Sequence, residues 1–217
     1  MRSILTSKWT KVVVFLAALV PFGILVWRLF TSNLGPNPVE TLQHGTGDWT
    51  LRFLVITLCI TPFRRLLKLP ELIRFRRMTG LFAFFYVCFH FLTYLGPDQS
   101  FDVSAMLKDV GKRPFITVGF LGFILLVPLA ITSTAGWIRR LGGRRWRMLH
   151  RAIYVVAIAG VIHYYWLVKS DVHKPLEYGA MVAALLIWRV AAWLSDRRKR
   201  QVAGAAPTAE PPTAETA

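Results

Sequence analysis

Acidic side chains are scarce in this chain of 217 residues: 11 Asp and Glu stand against 27 Lys and Arg, for a formal charge of +16. None of those carboxylates falls in the middle of an apolar run, which argues against an ion or solute transporter, because such proteins carry ionisable groups or broken helices at mid-membrane. Cysteine is equally sparse. Cys59 and Cys88 both lie inside apolar runs, where a free thiol behaves as a small buried hydrophobe. No C-x-x-C-H motif is present, so covalent attachment of a heme group is not indicated. Long soluble stretches are missing too. No G-x-G-x-x-G follows a strand, and no hydrophilic segment offers room for a nucleotide-binding fold.

What the chain does have is apolar surface, at 54% of residues and a mean hydropathy of +0.45. A basic chain first suggests nucleic acid, but here the cations flank runs of about twenty apolar residues, the length that crosses a bilayer. The candidate spans are 12–30, 49–67, 78–95, 114–132, 151–168 and 176–194. Segments 1–11, 64–77, 139–151 and 195–200 hold nineteen of the 27 basic residues, whereas 31–48, 96–113 and 169–175 hold five. That bias predicts an all-α polytopic bundle of six transmembrane helices with both termini in the cytoplasm. The run from Val12 to Phe30 is too long for a signal peptide and lacks an A-x-A site, so it reads as an uncleaved first span. The expected organisation is a cytoplasmic N-terminus over 1–11, the six-helix domain over 12–195 and a disordered cytoplasmic tail over 196–217. Arg28, Arg52 and Arg189 lie near span ends and are expected to snorkel, and the tryptophans near span ends suit an interfacial belt.

Of five histidines, His44 and His173 fall in outward loops, and His90, His150 and His163 fall within or beside spans. An ionisable group inside a span costs a few kcal/mol unless partnered, about 2–4 on insertion scales, and so marks a functional position. Imidazole satisfies that condition as an axial ligand of heme iron. His90 lies roughly 18 Å along the third span and His163 roughly 20 Å along the fifth, both counted from the cytoplasmic side at 1.5 Å per residue. The matched depth makes them candidate axial ligands on facing helices. Ala159 and Gly160, one turn from His163, leave space for a flat macrocycle. His150 stands at the cytoplasmic boundary, where a second cofactor, a structural role or phosphate binding are all open. Counting back from His90 to the same depth lands on Arg76 or Arg77, neither of which ligates iron.

Several stretches together carry a resemblance: Thr61-Pro62-Phe63-Arg64-Arg65, Arg76-Arg77-Met78-Thr79-Gly80-Leu81 through His90, Lys112-Arg113-Pro114-Phe115-Ile116-Thr117-Val118-Gly119, and Arg145-Trp146-Arg147-Met148-Leu149-His150-Arg151-Ala152-Ile153-Tyr154 continued to His163-Tyr164-Tyr165-Trp166. Over residues 45 to 190 the chain resembles the heme-binding membrane subunit of the bacterial periplasmic methionine sulfoxide reductase system, within the ferric reductase-like transmembrane superfamily. The resemblance implies a subunit of the bacterial inner membrane that carries electrons from the quinone pool, through b-type heme and FMN, to a periplasmic molybdopterin reductase that repairs oxidised methionines. Catalysis then lies on the partner, and nucleic acid is not one.

By position, the resemblance assigns His90, His150 and His163 to heme iron. The superfamily's oxidases carry a second histidine on the third span where this chain has Arg. His150, Arg76 and Arg77 are therefore expected to form a second heme site or a flavin or quinol site, with a guanidinium suited to a phosphate or heme propionate. The alternative is another cytochrome b-type carrier, of the ferric reductase-like kind, fed by a separate soluble flavin reductase.

Overall fold

The computed structural model describes residues 5–168 and 170–205; Arg2, Lys169 and the tail from Ala206 onward lie outside them. The described residues form α1 (Lys8–Phe30), α2 (Pro38–Leu66), α3 (Ile73–Thr93), α4 (Val103–Lys112), α5 (Pro114–Ile131), α6 (Ala135–Leu149), α7 (Ala152–Leu167) and α8 (His173–Ala205). A π-helical turn, Tyr94–Asp98, prolongs α3. No strand occurs among the described residues. Proline and polar caps set several boundaries. Pro38 and Pro114 open α2 and α5, where a missing N–H costs nothing, and Asn37 and Asp102 cap α2 and α4 through side-chain oxygens.

Each expected span coincides with a helix, but not all six have the plain composition of a membrane span. α1, α3 with its π turn, α5 and α8 are long and apolar enough to cross a bilayer, and α6 with α7, bent by 42° at their junction, makes a fifth candidate. α2 departs because Arg52, Arg64 and Arg65 interrupt it, and α7 alone has 16 residues, about 24 Å of helix. The multi-pass character shows in the outer surface as well. Phe15, Leu16, Val20 and Ile24 on α1 are exposed, as are Ile187 and Val190 on α8, and so large an apolar exterior fits lipid rather than water.

Two stretches expected to be plain connections contain helices. Residues 96–113 include α4, and 139–151 are mostly α6, which carries Arg and Trp and is kinked at Gly142, where φ is 73°. The disordered tail expected from residue 196 does not begin there. α8 continues to Ala205, since Arg and Lys over 197–200 are good helix formers and the first proline after them is Pro207.

α2 packs most closely on α3 and α5 on α7, with α8 against α7 and α2, and α1 against α2 and α3. Leu54, Leu58, Ala83, Tyr86, Val156 and Ala157 are at the centre. Prolines inside helices open the backbone ladder, and side chains repair it. Pro62 has no N–H to give to the Leu58 carbonyl, and Arg189 on α8 donates to that oxygen instead (2.9 Å) while its other Nη donates to the Tyr154 hydroxyl (2.9 Å). Arg189 thus turns inward, contrary to the snorkelling expected of it: a freed carbonyl inside the bundle is an acceptor that lipid cannot satisfy. One residue beyond Pro21, the Tyr86 hydroxyl enters the ladder of α1, donating to Ala18 O (2.8 Å) and accepting from Phe22 N (3.0 Å).

Candidate cofactor site

Between the α2–α3 pair and the α5–α7 pair lies a cavity of about 380 Å³, within the range that holds small ligands and cofactors. Its wall from α2 comes from one helical face, Gln43, Gly47, Leu51 and Leu54 among others, spaced by three and four residues. Its inner lining is apolar, with Leu54, Val87, Leu126 and Val156. Polar groups gather at the mouth, including Glu40, His44, Asp48, Asp98 and Arg113.

His90 from α3 and His163 from α7 both line this cavity. Their ring centroids are 6.0 Å apart, with the ring planes at 82°. Two imidazoles that share one metal through a nitrogen each, at about 2.0–2.1 Å, have centroids about 6 Å apart. The outer nitrogens are already engaged. Nδ1 of His90 donates to the Gln43 carbonyl (3.0 Å) and Nδ1 of His163 to the Phe115 carbonyl (2.7 Å). That pattern fixes the tautomer, leaving each Nε2 with a free lone pair, as second-shell bonds do around metal-ligating histidines.

Two glycines make the positions possible. A Cβ on Gly119 would stand 2.6 Å from His163 Nδ1, and one on Gly47 would stand 3.2 Å from His90 Cε1. Each glycine lets a helix backbone lie directly against an imidazole. A Cβ on Gly160 would meet Leu51 at 2.9 Å, so the helix carrying His163 also approaches α2 closely. The donor set, the ring separation and the glycine cradle fit a heme held between α3 and α7. Neither Gly47 nor Gly119 stands out by charge or spacing; only the close approach identifies them.

The histidine at the junction of α6 and α7 is placed differently. His150 caps α6, its ring stacked on Trp146 with centroids 3.9 Å apart. Its Nδ1 meets the Trp146 carbonyl (3.1 Å) and its Nε2 the Ser133 hydroxyl (3.5 Å). No second imidazole faces it among the described residues, so the facing pair is His90 with His163. Arg76 is near enough to both His150 and Arg189 for their charges to interact, whereas Arg77 is exposed. Arg76 thus shares an electrostatic neighbourhood with His150 and Arg189, and Arg77 stands at the surface. Arg189 belongs to this cationic group, and no spacing argument pointed to it. His44 is exposed at the cavity mouth, and His173 opens α8 away from it, its backbone N–H donating to Asp171 Oδ1 (3.1 Å).

Residues 46–161 match the family model described as "Ferric reductase like transmembrane component". Among curated proteins, the chain is similar to the protein-methionine-sulfoxide reductase heme-binding subunit MsrQ of Herminiimonas arsenicoxydans, with 55% identity across 89% of this chain and 90% of the relative. The proteins of the same name from Caulobacter vibrioides and Azospira oryzae are each 51% identical, covering 82% and 83% of this chain and 84% and 78% of themselves. No solved structure matches the chain significantly.

Proposed function

This chain belongs to the ferric reductase-like transmembrane family, in the branch of the heme-binding subunits of protein-methionine-sulfoxide reductase, and from that premise we propose that it carries electrons through the membrane to a methionine sulfoxide reductase. The observation that supports this best is the facing pair His90 and His163, each steered by a backbone carbonyl, on the wall of one cavity. A b-type heme bound there supplies a one-electron carrier. His90 and His163 would hold its iron, each through the Nε2 that its carbonyl-bound Nδ1 leaves free. Leu54, Leu126 and Val156 keep the cavity interior apolar, and burial and ligation are the levers by which a protein tunes such a group.

The proposed topology is six spans with both termini cytoplasmic, in the bacterial inner membrane. α2 then crosses despite its arginines, two of which have partners within the protein: Arg65 binds Asp196 (2.8 Å) and Arg52 lies 4.5 Å over the Trp49 ring while donating to the Tyr178 hydroxyl. Under this topology the cavity mouth faces the periplasm, where a molybdopterin-containing catalytic subunit receives the electrons. His150 and Arg76 face the cytoplasmic side, where quinol or FMN is received. Arg76 offers a bidentate donor for a phosphate or carboxylate, and the His150 ring can take up a proton released there.

The reading is tested by the dithionite-reduced minus oxidised spectrum of the purified protein. A b-type heme signal in the wild type, absent from both His90→Ala and His163→Ala, is the expected result; a full signal in both variants would falsify it.

A further inference from the structure

Arg113 stands at the start of α5 and lines the cavity mouth. Its Nε is held by Asp109 Oδ1 (2.8 Å), and Asp109 in turn accepts from the Tyr94 hydroxyl (2.9 Å). Tyr94 lines the same mouth. The guanidinium is therefore oriented by a buried-side carboxylate, while no protein acceptor occupies its two Nη groups among the described hydrogen bonds and ion pairs. Across the opening, Gln43 presents a second anomaly. Its carbonyl anchors His90, but its side-chain nitrogen is buried and meets no acceptor. A buried donor without a partner is rare in native proteins and signals a missing ligand, water or ion.

These two groups lie on opposite walls, one from α2 and one from α5, at the polar end of a cavity whose other end is apolar. The porphyrin of heme has the same asymmetry: a flat apolar body with two carboxylates on one edge. Fixed guanidinium groups bind carboxylates bidentately and strongly. The opposing charges at the mouth, Glu40, Asp48 and Asp98, would repel those carboxylates, which makes a dedicated cation there more necessary.

We propose that Arg113, oriented by Asp109 and Tyr94, and Gln43 receive the carboxylate edge of the heme, so that the macrocycle enters with its acidic side toward the mouth. The inference rests on the heme reading above and assigns the two residues as positioning residues. Neutralising the carboxylates has an electrostatic consequence at the iron. Uncompensated negative charge favours the ferric state, so removing either donor lowers the reduction potential.

The test uses the full chain purified in detergent and loaded with iron protoporphyrin IX or with its dimethyl ester. With the free acid, Arg113→Gln and Gln43→Leu are expected to release heme about tenfold faster than the wild type, the scale of a hydrogen bond to a charged group, and to show lower potentials. Gln43→Glu, nearly isosteric, is expected to do so more strongly, because it adds a third negative charge. With the dimethyl ester, which carries no carboxylate, the difference between variants and wild type disappears. Variants that match the wild type with the free acid overturn the proposal, as does a deficit that persists unchanged with the ester. A wild type that takes up neither porphyrin removes the heme reading as well, a result distinct from either of those.

Discussion

At the scale of single residues, the site depends on contacts shorter than most substitutions tolerate. The Cβ of Gly119→Ala would overlap His163 Nδ1 at 2.6 Å, and that atom is held by the Phe115 carbonyl at 2.7 Å. The ring must swing away or the helices must part, at a cost of about 1–3 kcal/mol for overpacking. Heme content of Gly119→Ala is expected to fall well below that of Gly47→Ala, whose Cβ meets His90 at 3.2 Å, and titration of apoprotein with hemin measures the gap. His150→Ala, by contrast, is expected to spare the spectrum of the His90–His163 heme and to slow reduction from the quinol or flavin side, followed by stopped-flow absorbance. Arg76→Gln joins it in that slowing, while Arg77→Gln, on an exposed position, keeps wild-type rates; equal rates in all three would leave the arginines as topology signals only.

Part of this was legible from the sequence. Counting residues from the charged boundary put His90 and His163 at one depth, because helix rise is constant and the basic clusters mark one face. What residue counting does not show at His150 is the local turn: the chain bends by 42° between α6 and α7, and His150 caps the first of them. Gly47, Gly119 and Gln43 were invisible because their importance lies in what stands opposite them, a tertiary fact that spacing along one helix does not carry.

At the scale of elements, the question is how helices with internal prolines hold together in a solvent that offers no hydrogen bonds. α2 breaks its own ladder at Pro62, and Arg189 from α8 closes it at Leu58 O. The pairing of a proline on one helix with an arginine on another explains why a cation that composition assigned to the interface points inward. Arg189→Met leaves both the Leu58 carbonyl and the Tyr154 hydroxyl without that partner, and a loss of about 1–3 kcal/mol is expected. Pro62→Ala restores an N–H to α2, so the double variant is expected to recover about 1 kcal/mol of that loss, the hydrogen bond to Leu58. Thermal unfolding in detergent of the four proteins gives the coupling energy. α4 and α6 were missed as elements for the opposite reason: their charge suggested loops, but Lys and Arg are good helix formers and Asp102 and Thr134 cap the two starts.

At the scale of the whole molecule, charge divides the bundle into a strongly basic end and a mixed end that bears the cavity mouth. A partner that takes electrons must approach that mouth, and contacts of this kind are small and steered by charge. Lys112, adjacent to the mouth and exposed, is expected to take part: Lys112→Glu slows electron delivery to the purified catalytic subunit at low ionic strength, and the difference shrinks as salt rises and screens it. A rate that is the same at every salt concentration rules out that face.

The division of the bundle into two tightly packed helix pairs with a cavity between them has a bearing on the protein's life in the cell. A heme iron bonded to α3 on one side and α7 on the other would act as a cross-link between the halves, and every ligand that binds only the folded state adds to its stability in proportion to the logarithm of its concentration. Newly inserted chains would thus be hostage to porphyrin supply. Chains made under heme starvation would have only protein contacts, chiefly those of α8 with α7 and α2, to join the two pairs, and are expected to be cleared faster. Blocking heme synthesis in the producing cells is expected to shorten the half-life of the wild-type chain in a pulse-chase experiment. The His90→Ala chain, already without its cross-link, is expected to turn over fast in either condition.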